Sequence, residues 1–390
     1  MKIGIYGGSF SPPHRGHTDS SITAAGALGL DKLIVVPSGM PPHKNLPQDS
    51  PSPQQRYEMT YLAFEGCANT EVSDIELRRG GVSYTIDTAR AIGSENPGAE
   101  LYLITGADMF KTVRQWKDAD ELLRIVKPVV TFRSDGERDV ILKEIAAMKA
   151  LGIDAVIVEN NAIDISSSEL RELLSRRIKP WHIDERVYSY IIENGLYGAK
   201  PDFDWLRLRA YRMLDEGRIR HVAGCEETAV RLAERWGANP TDAREAAILH
   251  DITKRLDVET QLKICREYGV QTDELERANP KMLHSKTAAA FSRRHFCVSD
   301  AVESAIRWHT TGCADMTLLE KIIYLADYME PNRKFEGVDE MRRLAFSDID
   351  KALIMGMEMS IEDLTSRGIS PHPTTKGALD FLKEKVEFLS

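Results

Sequence analysis

The first seventeen residues, MKIGIYGGSFSPPHRGH, constrain the fold of this chain more than any other stretch. Residues 2–6 have the pattern of a short buried strand, paired glycines break it, and a helical pattern follows His17. Glycine lets backbone N–H groups approach an anion, and the N-terminal end of a helix adds positive potential. His14 and His17, three residues apart at that helix start, face the same way. The stretch therefore predicts a phosphate site with two imidazoles, the simpler alternative being a glycine-rich turn with surface histidines.

Residues 1–199 alternate strand-like and helix-like patterns, which predicts an α/β fold with a parallel sheet between helices. Ligands of such sheets bind beyond the carboxyl ends of the strands, which is where the glycine turn falls. Further buried strands are expected at 33–36, 101–105, 128–132 and 153–158, with helices such as 18–28 and 138–150 between them.

Three more motifs fall at strand or helix ends. GMPPHK (39–44) is a stiff cationic loop, GGVSYTIDT (80–88) turns into a helix with hydroxyls at its start, and ITGAD (104–108) ends a strand with a carboxylate. An acidic group there suits ribose hydroxyls. The simpler interpretations are a proline-rich surface loop for the first motif and N-caps for the other two. Trp116 follows in a polar setting, where the sequence leaves open whether the indole packs or stacks on a ligand.

DISSSELR (164–171) opens a later helix with three serines, and Arg171 lies one turn inside on the same side. Hydroxyls, free N–H groups and a guanidinium together predict a second anion site. Ser166 and Glu169 also have capping-box spacing, and the two roles are compatible.

From about residue 199 strand-like runs vanish, and helical periodicity continues to the end. One buried histidine usually satisfies only a hydrogen bond, but four histidines and two aspartates here each begin or end an apolar helical run. Imidazoles and carboxylates together suit divalent Fe, Mn, Co or Zn, and six ligands are enough for two ions. The six are His221, His250, Asp251, His284, His309 and Asp327. Helices are expected at 205–214, 226–236, 243–250, 302–309 and 317–329, after a linker near 198–202.

The overall composition limits the setting and the partners. The 390 residues include 51 Lys and Arg against 60 Asp and Glu, a formal charge of −9 that argues against wholesale nucleic-acid binding. Five scattered cysteines without a C-x-x-C pair indicate a reduced, cytoplasmic setting. We expect neither a signal peptide nor a membrane span, because no apolar run approaches about eighteen residues. The sequence leaves open whether the protein is a homo-oligomer.

GGSFSPPHRGH, MPPHK, GVSYTIDT, TGAD and ISSSELR resemble, in order, the motifs of bacterial nicotinate mononucleotide adenylyltransferases, over residues 1–198. The resemblance implies a Rossmann-like nucleotidylyltransferase domain at 1–199 that transfers AMP from ATP to nicotinate mononucleotide, with Mg²⁺ on the ATP phosphates. The family commonly has Thr where Ser168 stands, and a hydroxyl is kept. Because the attacking phosphate is already ionised, the reaction needs positioning and charge stabilisation rather than a general base.

The same resemblance implies roles for individual residues. Catalysis would fall to His14, His17, Lys44 and Arg171. ATP would be bound by Gly7, Gly8, Ser9, Phe10, His14, His17, Gly106, Asp108, Ile165, Ser166, Ser167, Ser168 and Arg171. The nicotinate nucleotide would be bound by Lys44, Tyr84, Thr85 and Trp116.

RHVAG, LHDITK, HSK, WHTTG and LADYMEPNR resemble the HD phosphohydrolase superfamily, and within it the symmetrical diadenosine tetraphosphate hydrolases, over residues 203–390. The resemblance implies an all-α HD domain at 200–390 that cleaves diadenosine tetraphosphate to two ADP with one or two divalent ions, in this branch iron. His221, His250, Asp251 and Asp327 would hold the core metal, and Asp251 would also bridge two ions and orient the attacking water. His284 and His309 would serve a second metal or phosphate contacts. Lys254 and Arg333 would either neutralise substrate phosphates or be solvated surface charges.

Two alternatives stay open for the second half. It would be a sensor that binds a dinucleotide without turnover, or an HD enzyme of another kind, such as a nucleotidase or pyrophosphatase. The intact His–Asp set disfavours a sensor, which has no need of it.

Overall fold

The computed structural model describes residues 1–40, 50–132, 135–160, 163, 165–278 and 280–389. Its internal contacts divide the chain into two compact units, Met1–Lys200 and Pro201–Ser390. In the described part of the chain, no helix combines the length and the apolar character needed to cross a membrane.

The described residues of the first unit form a parallel six-stranded sheet in the order β3-β2-β1-β4-β5-β6. The strands are β1 (Lys2–Gly8), β2 (Lys32–Pro37), β3 (Thr70–Val72), β4 (Glu100–Gly106), β5 (Val126–Phe132) and β6 (Val156–Glu159). The helices are α1 (Arg15–Leu28), α2 (Pro53–Phe64), α3 (Ile75–Arg79), α4 (Thr85–Glu95), α5 (Ala107–Thr112), α6 (Ala119–Ile125), α7 (Asp135–Ala150), α8 (Ser167–Ser175) and α9 (Glu185–Glu193).

Strand order reverses between β1 and β4, which are neighbours in the sheet but far apart in sequence. Such a switch point opens a crevice at the carboxyl ends of the two strands, where ligands of doubly wound sheets bind. Both GGSF and TGAD lie at this crevice. The predicted Rossmann-like α/β fold is confirmed.

Alternating side chains of the central strands supply two hydrophobic layers, one on each face of the sheet. Leu101 and Leu103 of β4 belong to one layer, whereas Tyr102 and Ile104 belong to the other. Because a hydrophobic layer covers each face of the sheet, residues that point to either face are apolar. The sequence of each strand is therefore a continuous apolar run.

The strands differ from expectation at β1, at β3 and at β6, which begins at Val156 and not at residue 153. β1 does not break at the paired glycines, because Gly7 and Gly8 continue the parallel pairing with β2. The sequence interpretation also missed β3, a three-residue edge strand whose residues are all at least partly exposed and therefore carry little hydrophobic signal.

The described residues of the second unit are helical, which confirms the predicted all-α fold of this half. The predicted helix at 226–236 is the second half of a longer helix, because charged residues and the buried His221 interrupt the apolar pattern of its first half. The helices are α10 (Phe203–Tyr211), α11 (Glu216–Trp236), α12 (Pro240–Leu249), α13 (Val258–Glu267), α14 (Glu274–Ala278), α15 (Pro280–Phe296), α16 (Asp300–Trp308), α17 (Leu318–Met329), α18 (Val338–Ser347), α19 (Ile349–Ser366) and α20 (Pro373–Leu389).

Candidate active sites

The start of α1 places His14 and His17 side by side at the end of β1. Their ring centroids are 3.7 Å apart, and the backbone N–H of His14 donates to Nδ1 of His17 at 3.2 Å. Because Nδ1 accepts that bond, the neutral His17 ring carries its proton on Nε2. His14 is buried and His17 half-buried, so His17 presents the more accessible imidazole at a helix end that favours anions.

Glycine at this strand end serves close packing. A Cβ on Gly8 would come within 3.0 Å of the Phe10 ring. Phe10 itself has a positive φ of 44° and is 1% exposed. Its ring therefore belongs to the core, and the part of Phe10 that can face a nucleotide is its backbone.

The start of α8 lies against the segment that precedes α1. Ser167 Oγ donates to the carbonyl of Pro12 at 3.2 Å, and Arg171 Nη1 donates to the carbonyl of Ser11 at 2.7 Å. Arg171 Nη2 also donates to Ser168 Oγ at 2.9 Å. The fold thus brings the two anion sites of the sequence prediction together.

Ser166 is the N-cap of α8. Its Oγ accepts from the backbone N–H of Glu169 at 3.2 Å, and its own N–H donates to Glu169 Oε2 at 2.8 Å. The capping box is therefore confirmed. Ile165, just before it, is buried, and Asp164 lies outside the described residues.

Arg56, which the sequence interpretation did not single out, supports the ends of β1 and β2. Its fully buried guanidinium donates to the carbonyls of Ser9 at 3.1 Å and Gly39 at 2.8 Å. The buried carboxylate of Glu76 accepts from the N–H of Gly39 at 3.2 Å and from Thr88 Oγ1 at 2.8 Å. The local sequence offered no signal for this role, because the partners of Arg56 lie at the ends of two strands.

Tyr197 is a second missed residue near this site. Its hydroxyl lies 3.1 Å from Ser11 Oγ. Burial raises the pKa of Tyr197 to about 12, against the opposing effects of Ser11, Arg171 and Arg56. The neutral phenol thus anchors the segment that contacts Arg171.

The predicted nicotinate nucleotide site is described in part, because Lys44 lies outside the described residues. Met40 and Val82 form an isolated parallel bridge, and the N–H of Ser83 donates to the carbonyl of Met40 at 2.9 Å. The turn before α4 therefore runs beside Met40, the last described residue before Lys44.

Tyr84 and Trp116 pack against the same hydrophobic layer. Tyr84 is the N-cap of α4, Thr85 is its first residue, and Nζ of Lys117 lies 4.2 Å from the centre of the Tyr84 ring. Trp116 is half-buried and donates its Nε1–H to Thr112 Oγ1 at 3.3 Å. The indole thus packs through part of its surface and leaves the rest accessible.

Asp108 lies at the switch point, in the first turn of α5. Gly106 is the N-cap, so the capping interpretation of Asp108 was wrong. The Asp108 side chain is 93% exposed and lies 3.4 Å from Lys111 Nζ. A Cβ on Gly106 would meet nothing within 4 Å, so the space beyond β4 is open.

In the second unit, Asp251 lies between two pairs of imidazoles. Its Oδ2 lies 3.6 Å from Nε2 of His221 and 3.5 Å from Nε2 of His250. Its Oδ1 lies 3.1 Å from Nε2 of His284 and 3.6 Å from Nε2 of His309. The Nε2 atoms of His284 and His309 are themselves 3.1 Å apart.

Asp327 lies beside the imidazoles of His221 and His250. Its Oδ1 lies 3.0 Å from Nε2 of His221 and 3.9 Å from Nε2 of His250. The fold therefore brings together all six residues that the sequence predicted as ligands. They come from α11, the end of α12, α15, the end of α16 and α17.

Hydrogen bonds to the backbone set the orientation of two of the imidazoles. Nδ1 of His250 and Nδ1 of His309 each lie 2.7 Å from a backbone carbonyl three residues earlier, of Ala247 and Ile306. A carbonyl only accepts, so each neutral ring turns an Nε2 lone pair toward Asp251. Nε2 of His250 is buried and makes no hydrogen bond with the described residues. Since such an atom is costly to bury, the arrangement fits a cation at this point.

Glu330 orients His221 by contacting Nδ1, the ring nitrogen on the side away from Asp251 and Asp327. Its Oε1 lies 3.2 Å from Nδ1 of His221, and its Oε2 accepts from the backbone N–H of Asn332 at 2.7 Å. A Cβ on Gly224 would come within 2.4 Å of that Oε2, so glycine leaves the room that the carboxylate needs. A carboxylate behind an imidazole fixes its tautomer and strengthens it as a ligand. The sequence interpretation missed this role, although Glu330 lies one helical turn after Asp327.

Three cations border the cluster. Arg218 Nη1 donates to Asp251 Oδ2 at 2.8 Å, and Lys254 Nζ donates to Asp251 Oδ1 at 3.1 Å. Arg333 Nη2 donates to Asp327 Oδ1 at 3.0 Å. A cleft of about 420 Å³ opens beside His221, and three arginines (218, 220 and 333) line it. Guanidinium groups at the mouth of a carboxylate cluster suit a polyphosphate anion.

The cluster as a whole attracts positive charge. Burial alone would raise the pKa of Asp251 and of Asp327, but neighbouring imidazoles, His250 among them, hold both pKa values well below their usual range. Burial, aided by Lys254, lowers the pKa of His284 to about 4. The two carboxylates in turn raise the pKa of His250 against its burial. Ionised carboxylates beside buried imidazoles are the donor set that a divalent ion requires.

Comparison with known proteins assigns each half separately. The cytidylyltransferase-like family profile matches residues 5–173, and the HD domain profile matches residues 218–332. A probable nicotinate-nucleotide adenylyltransferase of Gemmatimonas aurantiaca is 36% identical over 203 residues, which cover 52% of this chain and 94% of that protein. A symmetrical bis(5'-nucleosyl)-tetraphosphatase of Bacillus subtilis is 40% identical over 165 residues, which cover 42% of this chain and 88% of that protein.

Among solved structures, a predicted HD superfamily hydrolase involved in NAD metabolism from Clostridium acetobutylicum is 34% identical. It aligns with a TM-score of 0.47 over 48% of this chain and 100% of that one.

The folds and sites define a nucleotidylyltransferase-type α/β unit joined in one chain to an HD-type helical unit. The chain belongs to the nicotinate-nucleotide adenylyltransferase family through its first half and to the symmetrical bis(5'-nucleosyl)-tetraphosphatase family through its second. Both predicted family memberships are confirmed. The HD domain implies a divalent metal, for which the cluster around Asp251 is the candidate site.

Proposed function

We propose that this chain is a bifunctional enzyme of nucleotide metabolism. Its first half transfers AMP from ATP to nicotinate mononucleotide, giving nicotinate adenine dinucleotide and pyrophosphate, a step of NAD biosynthesis. Its second half hydrolyses diadenosine tetraphosphate symmetrically to two ADP. One observation carries the proposal. Each half matches nearly the whole length of a relative, and in each half the fold brings the candidate residues close together.

The transfer reaction depends on positioning, because the phosphate of nicotinate mononucleotide attacks the α-phosphorus of ATP without losing a proton. We assign His14 and His17 to the phosphates as N–H donors at the start of α1. Arg171, Lys44 and the first residues of α8 hold the β- and γ-phosphates and the leaving pyrophosphate. The Mg²⁺ that accompanies ATP supplies further positive charge.

The two nucleosides occupy the flanks of this site. The exposed carboxylate of Asp108 accepts hydrogen bonds from the ATP ribose, and Gly106 leaves room for it. On the other side, Thr85 and the accessible part of Trp116 receive the nicotinate carboxylate and ring, with Tyr84 and Lys44 beside them.

In the hydrolase half, His221, His250, Asp251 and Asp327 hold a divalent ion, which we propose to be iron. His284 and His309, which lie near Oδ1 of Asp251, would hold a second ion or contact the substrate phosphates. The bound ion supplies charge for the phosphoryl group as it is attacked by water. Arg218, Lys254 and Arg333 bind the remaining phosphates, since each donates to a carboxylate of the cluster and the two arginines also line the cleft.

Incubation of the purified protein with ATP, Mg²⁺ and nicotinate mononucleotide tests the first activity. We expect release of pyrophosphate and formation of nicotinate adenine dinucleotide, with His17→Ala reducing the rate at least tenfold. A strong preference for nicotinamide mononucleotide or phosphopantetheine, or full activity of the variant, would overturn the assignment.

Incubation with diadenosine tetraphosphate and Fe²⁺ or Mn²⁺ tests the second activity, and we expect ADP as the sole nucleotide product. Saturable binding without turnover would instead identify a sensor. ATP and AMP as products, or faster cleavage of another nucleotide in a small panel, would identify a different HD activity.

A further inference from the structure

Thr253 lies in the turn that follows α12, two residues after Asp251. It is fully buried, and its Oγ1 donates to the backbone carbonyl of His284 at 2.9 Å. Many buried threonines instead donate to a carbonyl one turn earlier in their own helix, as Thr228 does to Gly224 at 2.8 Å. The Thr253 hydroxyl therefore joins the segment that carries one candidate ligand to the backbone of another.

Two further buried side chains extend this contact. Oγ1 of Thr287, on α15, lies 2.8 Å from Oγ1 of Thr253 and donates to the carbonyl of Leu283 at 3.0 Å. Gln261, on α13, has its Oε1 3.4 Å from Thr287 Oγ1, and its Nε2 donates to the carbonyl of Leu256 at 2.8 Å. The network thus fastens the turn after α12 to both α13 and α15.

The separation of Asp251 and His284 depends on how this turn packs against α15. Helix α12 ends at Leu249, and Asp251 lies in the turn beyond it. Its Oδ1 lies 3.1 Å from Nε2 of His284. Groups that form a site must be held to within about 0.5 Å of their working positions. The Thr253 hydroxyl fixes the packing at the backbone of His284 itself.

We propose that Thr253 is a positioning residue, which holds His284 where its Nε2 binds a cation together with Oδ1 of Asp251. The inference rests on the proposed metal centre of the hydrolase half, and it commits His284 to metal binding rather than to phosphate contact. Without the hydroxyl, the turn and α15 shift apart and the imidazole loses its alignment with the carboxylate. The fold survives, because Thr287 keeps the carbonyl of Leu283 as an acceptor.

Isothermal titration of the full-length protein, stripped of metal, with Mn²⁺ alone tests the inference. Thr253→Val removes the hydroxyl and keeps the shape of the side chain, and Thr253→Ala removes both. Thr253→Ser keeps the hydroxyl and is the rescue variant. Thr228→Val is the matched control, at a buried threonine of α11 whose hydroxyl bonds within its own helix.

A double-mutant cycle separates positioning from a general loss of structure. His284→Ala removes the imidazole, and Thr253→Val is then added to it. If Thr253 acts through His284, the second substitution has little left to remove, whereas a general structural defect lowers the affinity in both backgrounds.

We expect Mn²⁺ affinity to fall about tenfold in Thr253→Val and Thr253→Ala, the lower end of the effect of residues that orient ligands. Thr253→Ser and Thr228→Val should stay within about twofold of the wild type, and adding Thr253→Val to His284→Ala should also change affinity by less than about twofold.

Three results would overturn the inference and leave the metal centre standing. They are wild-type affinity in Thr253→Val, an equal loss in the His284→Ala background, and loss of the folded state in both variants that lack the hydroxyl, seen by circular dichroism. Failure of the wild type to bind Mn²⁺ would overturn both the inference and the metal centre.

Discussion

Asp251 is the residue on which the hydrolase half is centred. Each of its oxygens faces a different pair of imidazoles, and each also accepts a hydrogen bond from a cation. A carboxylate in this position is suited to bind a cation through each of its two oxygens.

Gly224 gives a prediction at the residue scale. In Gly224→Ala the new Cβ would clash with Glu330, so the carboxylate must move away from His221. We expect metal affinity to fall about 10–100-fold, because Glu330 holds the imidazole in its ligating orientation. Isothermal titration with Mn²⁺ or Co²⁺ measures the change.

Gly377→Ala on α20 is the control, since a Cβ there meets nothing within 4 Å. Unchanged metal affinity in Gly224→Ala would show that Glu330 does not orient His221.

Tyr197 gives a prediction for alkaline pH. Because burial raises its pKa to about 12, the phenol stays neutral in the folded protein where the unfolded chain already ionises, near pH 10. The stability that this contributes is therefore present below pH 10 and is lost as the pH rises from 10 to 12.

Urea unfolding of the first unit, followed between pH 8 and 11, measures the effect. We expect the wild type to lose stability more steeply above pH 10 than Tyr197→Phe, with Tyr61→Phe, at an exposed position, behaving as the wild type. Equal slopes for the wild type and Tyr197→Phe would contradict the assignment.

Residue types at element ends predicted six candidate ligands that the fold does bring together, because a histidine or aspartate that closes an apolar helix is conspicuous. The residues around the cluster could not be predicted in the same way. Arg218 and Glu330 acquire their roles from contacts between α11, the end of α12 and the end of α17, which no local pattern encodes. Arg56 was missed for the same reason, since its partners lie at the ends of two strands.

At the scale of elements, α8 and the segment before α1 form one structure. Arg171 is the connection, because it donates both to the carbonyl of Ser11 and to Ser168 Oγ. This places its guanidinium where the phosphates of ATP are proposed to lie.

Arg171→Lys tests that connection. An ammonium cannot reproduce the two-pronged contact, so we expect kcat/KM for transfer to fall about 10–100-fold, a loss of roughly 1.4–2.7 kcal/mol. Thermal stability should change little. Steady-state pyrophosphate release measures the effect.

Arg176→Lys is the matched control, because Arg176 caps the same helix at its other end with an exposed side chain. An equal loss in both variants, or none in Arg171→Lys, would contradict the role given to Arg171.

Element boundaries followed the sequence closely where apolar runs were long. The interpretation failed at β3, which is short and partly exposed, and at the end of β1, where glycines continue the strand pairing instead of stopping it. In both places, pairing with β2 decided the outcome, and pairing is not visible in the local sequence.

At the scale of the whole molecule, each half has its own set of candidate residues, drawn from that half alone. The candidate metal cluster lies within the second unit, and the histidine pair with the α8 start lies within the first. The two proposed activities should therefore be separable by single substitutions.

The most direct test of the account is a chromatographic measurement of products from three full-length proteins on both substrate sets. The wild type should convert ATP and nicotinate mononucleotide to the dinucleotide, and diadenosine tetraphosphate to ADP. His17→Ala should lose at least 90% of transfer and keep hydrolysis, whereas Asp251→Asn should lose at least 90% of hydrolysis and keep transfer. Loss of both activities in either variant, or of neither in both, would contradict the assignment of two independent active sites to this chain.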